Sequence, residues 1–291
     1  MKQETSPLLQ IFVLICFAVG IEFAISIAAL ALSIFGVDIT STSFLLATQA
    51  IGGAALFVVP VVLLAVLYGH DYKTMWQLDF SAPKWKLALV SAIIMVAFSP
   101  LNDVITSFND SWHFGGVWAK FEEYFRTMAD LSNNLIEKFL ATESVWGLIV
   151  NLLVIAVLPA ICEELFFRGC MQQLMTKWLR NPHWAIVITA AIFSIAHGDI
   201  FAFLTRFAMG IVLGYLFYAS GSILVSASAH FVNNALVVLF GFLSARGVID
   251  YSALDTYTLP WWVVVLATLS ALLLFGGYMG EKIVRKPSLK P

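Results

Sequence analysis

Residues 162–170 read CEELFFRGC and follow directly on the apolar run VWGLIVNLLVIAVLPAI. A charge inside a bilayer costs roughly 2.5–3.5 kcal/mol on insertion scales, so ionisable groups kept there are functional candidates. Glu164 and Arg168 stand four residues apart on one helical face, where an ion pair offsets part of the cost of burial. Glu163 points about 100° away and has no partner on its own helix. A carboxylate without a cation beside it suits general acid–base work. Pro159, four residues before Glu163, disrupts the backbone ladder and opens room for water. The plainer reading is that all three charges sit at a helix end and snorkel to the interface.

Two further stretches could join this chemistry. In FSIAHGD, His197 follows Phe193 by four residues; in HFVNN, His230 and Asn234 are four apart and share a face. An imidazole can orient a water or protonate a leaving amine, and His and Asn donors can stabilise an oxyanion. A lone histidine in an apolar helix is as readily a hydrogen-bonded core residue, and His230 or Asn234 alone as readily a helix–helix contact. Glu22, in the first apolar run, has no sequence neighbour to pair with and no assigned role.

The elements that must position these groups are membrane helices. About 20 mostly apolar residues cross the hydrocarbon core, and such runs occupy 8–35, 44–69, 86–108, 144–167, 184–198, 202–219, 222–244 and 259–280. The fifth is short, and the fourth continues into the polar, helix-compatible GCMQQLMTKWLR. The expected fold is an all-α, polytopic membrane bundle of about eight transmembrane helices, with both termini cytoplasmic. Eleven basic residues then fall on the inner side (Lys2, Lys73, Lys84, Lys86, Arg168, Lys177, Arg180, Lys282, Arg285, Lys286, Lys290). Five fall outside (Lys120, Arg126, Lys138, Arg206, Arg246). The outer segment 109–143, with Trp112, Trp118 and Tyr124 among mixed charges, reads as an amphipathic interfacial helix.

Depth is compatible with a single cluster of the motifs without fixing one. Glu163 lies 17 residues before Arg180 at the RNPH turn, and His197 lies 17 after it. His230 lies eight residues above Ser222, roughly 12 Å of helix rise, whereas His197, about 13 residues above Trp184, comes out roughly 20 Å in by the same rise.

Composition sets the outer limits. Of 291 residues, 60% are hydrophobic and 12% charged, about half the charge of a soluble domain. A net charge of −2 and the lack of a basic block argue against a nucleic-acid partner. Cys16, Cys162 and Cys170 show no metal spacing and are expected as free thiols. The first span reads as retained rather than as a signal peptide, since Glu4 sits in the n-region and the apolar run is too long. The whole chain, 1–291, reads as one integral-membrane domain.

Together, EELFFR at 163–168, FSIAH at 193–197 and HFVNN at 230–234 resemble the CPBP family of CAAX and bacteriocin-processing (Abi-type) membrane proteases. The likeness covers about 144–245, the expected catalytic core. It implies an intramembrane endopeptidase acting on a membrane-associated or prenylated peptide. Glu163 would be the base, His197 its partner, His230 and Asn234 the oxyanion donors, and Glu164, Arg168 and Phe193 supporting residues. If a divalent metal such as zinc is used, Glu163, His197 and His230 are the implied ligands; a metal-free glutamate mechanism is the preferred alternative. The cell membrane, with the site open to the cytoplasm, is the expected location. A non-catalytic scaffold or immunity protein of the same fold, and an ion-coupled transporter, remain the competing functions.

Overall fold

The computed structural model describes residues 5–70, 82–249 and 260–283. The basic residues Lys2, Lys73, Arg285, Lys286 and Lys290, counted above toward the inner side, lie outside them. Every regular element among the described residues is helical. These are α1 (Pro7–Ile34), α2 (Thr42–Tyr68), α3 (Ala82–Asp110), α4 (Ala119–Leu140), α5 (Val145–Leu179), α6 (Pro182–Ala196), α7 (Phe203–Ser220), α8 (Ile223–Ala245) and α9 (Trp261–Ile283).

Seven of these, all but α4 and α6, are long and apolar enough to cross a membrane. The eighth expected span, α6, is a helix of only 15 residues, about 22 Å of rise against a hydrocarbon core of about 30 Å. Its start is fixed tightly: Pro182 occupies the first turn, and the Asn181 side chain accepts from His183 and Trp184 N–H. Ser144 starts α5 in the same way by accepting from Gly147 N–H. Gly69 (φ 67°) and Gly221 (φ 60°) end α2 and α7 in the left-handed conformation that glycine adopts without cost.

The two larger apolar cores among the described residues tie α5–α8 to the remaining helices. One joins α1, α2, α5 and α6 through Leu14, Leu64, Phe167, Met171 and Phe193. The other joins α3, α7, α8 and α9 through Ile94, Met95, Leu213, Leu216, Val225 and Tyr278. Lys84 of α3 donates to the Ser220 carbonyl at one end of the bundle. At the other end Lys138 of α4 donates to the Thr40 carbonyl at 2.8 Å. Many large apolar side chains stay exposed on α1, α2, α3 and α9, as helices facing lipid require.

The 109–143 segment does hold a helix, α4, with Phe121, Tyr124 and Leu131 exposed, as is Trp118 just before it. It packs near the turn that follows α6. There Arg126 lies 4.1 Å over the Phe201 ring, and the buried Asn109 side chain donates to Ile200 carbonyl (3.0 Å) and accepts from Leu204 N–H (2.7 Å).

Candidate active site

The polar residues of the three motifs meet between α5, α6 and α8. Glu163 and Glu164 sit on an α-helical stretch of α5, Leu158–Phe166, between two π-helical turns, Leu152–Val157 and Phe167–Met171. Each π turn widens the backbone and re-aims the side chains beyond it, a distortion concentrated at functional sites. The upstream turn has a visible cause. Pro159 has no N–H, so the α-helical donor to the carbonyl of Ile155 is missing. Asn234 of α8 supplies a replacement, donating from Nδ2 to that carbonyl at 3.2 Å.

Glu164 is fully enclosed, and its Oε1 accepts from Arg168 Nη1 at 2.6 Å, the i,i+4 pair expected from spacing. The same oxygen accepts from His230 Nδ1 at 3.2 Å, a contact that spacing within one helix does not reveal. Arg168 Nη2 donates to the Gly210 carbonyl (3.1 Å), and its guanidinium lies 4.9 Å from the Phe193 ring centre. One turn on, Gln172 Nε2 donates to the Gly214 carbonyl at 3.1 Å. These contacts need α7 close. A Cβ on Gly210 would stand 2.9 Å from Ala190 Cβ, and one on Gly214 2.8 Å from Ile186 Cγ2. The Gly-x-x-x-Gly spacing at 210–214 was the available signal for this packing. Gln172 and Asn109 are further buried polar residues that the motifs did not mark.

Glu163 is held differently. Its Oε2 stands 3.9 Å from His197 Nε2 and 3.9 Å from His230 Nε2, and this buried oxygen has no hydrogen-bond partner among the described residues. The far nitrogen of each ring is already committed. His197 Nδ1 must donate to the Phe193 carbonyl at 2.7 Å, and His230 Nδ1 to the Glu164 carboxylate at 3.2 Å. A neutral ring so fixed carries a lone pair on Nε2. Three electron-rich atoms from three helices therefore face one small volume. Phe193, fully buried, packs between the two rings, 4.7 Å from His197 and 6.1 Å from His230.

Such a set binds something that brings protons or positive charge. A water with contacts of about 2.8 Å bridges two atoms 3.9 Å apart at a workable angle, near 90°. The donor types also suit a divalent cation. A tetrahedral zinc with legs of about 2.0–2.1 Å brings its ligand atoms to roughly 3.4 Å, so the two separations of 3.9 Å must close by about 0.5 Å.

Placement on the bundle is uneven. The glutamates and His230 are buried, whereas the His197 side chain is 30% exposed at the truncated end of α6. Helix alternation puts that end on the side of segment 109–143, opposite the Arg180 and Ser220–Ser222 turns. Asn234 is adjacent through α8, but one of its N–H groups is spent on Ile155 and its Oδ1 accepts from Asn233. Glu22 lies apart, on the lipid side of α1. All three cysteines are free thiols.

Residues 145–236 match a family model described as type II CAAX prenyl endopeptidase, Rce1-like. The matched stretch contains every motif residue from Glu163 to Asn234, which supports the resemblance read from the sequence. YyaK of Bacillus subtilis (strain 168), an uncharacterised protein, is 28% identical over 113 residues, 36% of this chain and 38% of that protein. The match thus spans well under half of that relative's length. No solved structure matches the chain.

Proposed function

We propose that this polytopic membrane protein, similar over 145–236 to the Rce1-like CAAX endopeptidases, hydrolyses a peptide bond of a membrane-associated or lipidated peptide. One observation carries the reading: Glu163 Oε2 and two imidazole nitrogens, each ring pinned through its other nitrogen, converge from three helices. Glu163 takes a proton from water while His197 Nε2 aligns it, and the water oxygen bonds to the scissile carbonyl carbon. The carbonyl oxygen becomes an oxyanion, stabilised by the remaining Asn234 N–H and by His230 in the working form in which Nε2 has also taken up a proton from solvent. The proton on Glu163 then passes to the amide nitrogen, the C–N bond breaks, and acid and amine leave. Glu164 and Arg168 are positioning residues, since they act through His230.

No step requires a metal. Were a divalent ion bound, Glu163, His197 and His230 would hold it, and it would supply Lewis-acid activation of water.

The cell membrane is the proposed location, and cytoplasmic access the proposed orientation. With 109–143 outside, that access requires a lateral route between helices, because the exposed edge of His197 belongs to the 109–143 side.

The test is cleavage of membrane-anchored and prenylated peptides by the purified chain, with and without a strong chelator. Glu163→Gln and His197→Gln should each lower turnover by at least about 10²-fold, the usual weight of a general base, with unchanged thermal unfolding. Chelator sensitivity would assign a metal. Undiminished cleavage by the two folded variants would overturn the site.

A further inference from the structure

A groove of about 610 Å³ runs along the lipid side of the bundle beside the candidate site. It lies between α1 and α6, over a floor supplied by α2 and α5. Its wall residues are chain neighbours of the reacting groups. Phe166 and Phe167 follow the Glu163–Glu164 pair, Ile192 precedes Phe193, and Ala196 precedes His197. A chain lying in the groove therefore rests against residues that are next to the reacting groups in sequence.

The wall is apolar except where α1 turns Glu22 and Ser26, one helical turn apart, toward it. No described residue forms a hydrogen bond or ion pair with Glu22. A carboxylate at mid-length of a lipid-facing helix is costly, and such residues pair with another charge. A pure hydrocarbon occupant offers Glu22 nothing: it has no donor and no charge. An ammonium or guanidinium group offers both. Lysine and arginine also carry long apolar stems that fit a groove of this lining.

We infer that the α1–α6 groove docks an apolar, membrane-embedded segment of a peptide that carries a basic side chain, with Glu22 as the partner of that charge. Glu22 is thereby a specificity determinant. The inference rests on the peptidase reading for what becomes of the segment, not for its binding.

The experiment uses the full chain in lipid nanodiscs. The probes are a fluorescent 20-residue leucine–alanine helix with one central lysine, its twin with leucine at that position, and a farnesylated short peptide. Wild type should hold the lysine peptide at least tenfold more tightly than the twin. Glu22→Gln, which leaves the core untouched, should abolish that preference, and Glu22→Asp should keep part of it. Ala18→Phe, which fills the groove, should weaken both helical probes. Equal binding of lysine and leucine probes overturns the inference. So does a farnesylated peptide that displaces both while Glu22→Gln changes nothing. Glu163→Gln separates the two readings, because it should bind like wild type without cutting. Preference without cleavage in wild type would sink the peptidase and leave the groove; cleavage without preference would do the reverse.

Discussion

The protein builds one arrangement twice, in two very different places. On α4, Glu122 Oε1 accepts from Arg126 Nε and pairs with His113 Nδ1, both at 2.9 Å. On α5, Glu164 Oε1 accepts from Arg168 Nη1 at 2.6 Å and from His230 Nδ1 at 3.2 Å. Both Glu–Arg pairs are i,i+4. The surroundings differ: the His113 and Arg126 side chains are 77% and 32% exposed, those of His230 and Arg168 3% and 1%. At the surface, water replaces any lost partner, and the cluster ties the 110–114 turn to a helix. In the bundle nothing replaces a partner, so the pairing dictates which imidazole nitrogen carries the proton. The same residues are a fastening in one place and a setting for chemistry in the other.

The sharpest way to break this comparison is to make one substitution in both clusters. Glu164→Gln leaves Arg168 buried without a counter-charge and should cost about 3–5 kcal/mol of stability, read by denaturant unfolding in micelles. Glu122→Gln should shift that curve barely at all. Equal effects would mean that water reaches the buried cluster. Glu164→Leu combined with Arg168→Met should recover most of the lost stability yet leave cleavage impaired, because His230 Nδ1 loses its acceptor.

A smaller effect concerns the backbone. Asn234→Ala strips the Ile155 carbonyl of its donor and should cost about 1–3 kcal/mol. Pro159→Ala returns a backbone N–H and should relieve most of that loss. If it does not, Asn234 contributes through something other than this bond.

The smallest effect belongs to the surface. Hydrogen bonds from Arg126, His113 and Phe114 N–H hold the Glu122 carboxyl down to about 2. A depressed folded value gives a contribution that is complete above about pH 4.5, the ordinary value, and fades as pH falls toward about 2. Fluorescence of Trp112 and Trp118 should report loosening of α4 in that window, while Glu122→Gln should show no such step.

Hydropathy made seven of the helices legible, because each carries a long apolar run. It also marked α6 as short. The Glu164–Arg168 pair followed from spacing alone, whereas the bond from His230 to Glu164 joins residues 66 apart and needed the packed bundle. The π turns of α5 leave no periodic trace, though Pro159 marked the first. The close approach of α7 was written in Gly210 and Gly214 but not read. For α4, amphipathic character was plain, yet nothing in its composition points to Phe201 as its contact.

The brevity of α6 also makes the surrounding lipid a mechanical partner. Where a helix is too short, the leaflet bends inward to meet it, at a fraction of a kcal/mol per Å of mismatch. Ile195, two-thirds exposed near the truncated end, is an apolar side chain there that lipid can cover. Short acyl tails relax the dimple and long tails deepen its elastic cost. Acyl length in the host's lipids therefore tunes how readily headgroups and water draw level with His197, with no change to the protein.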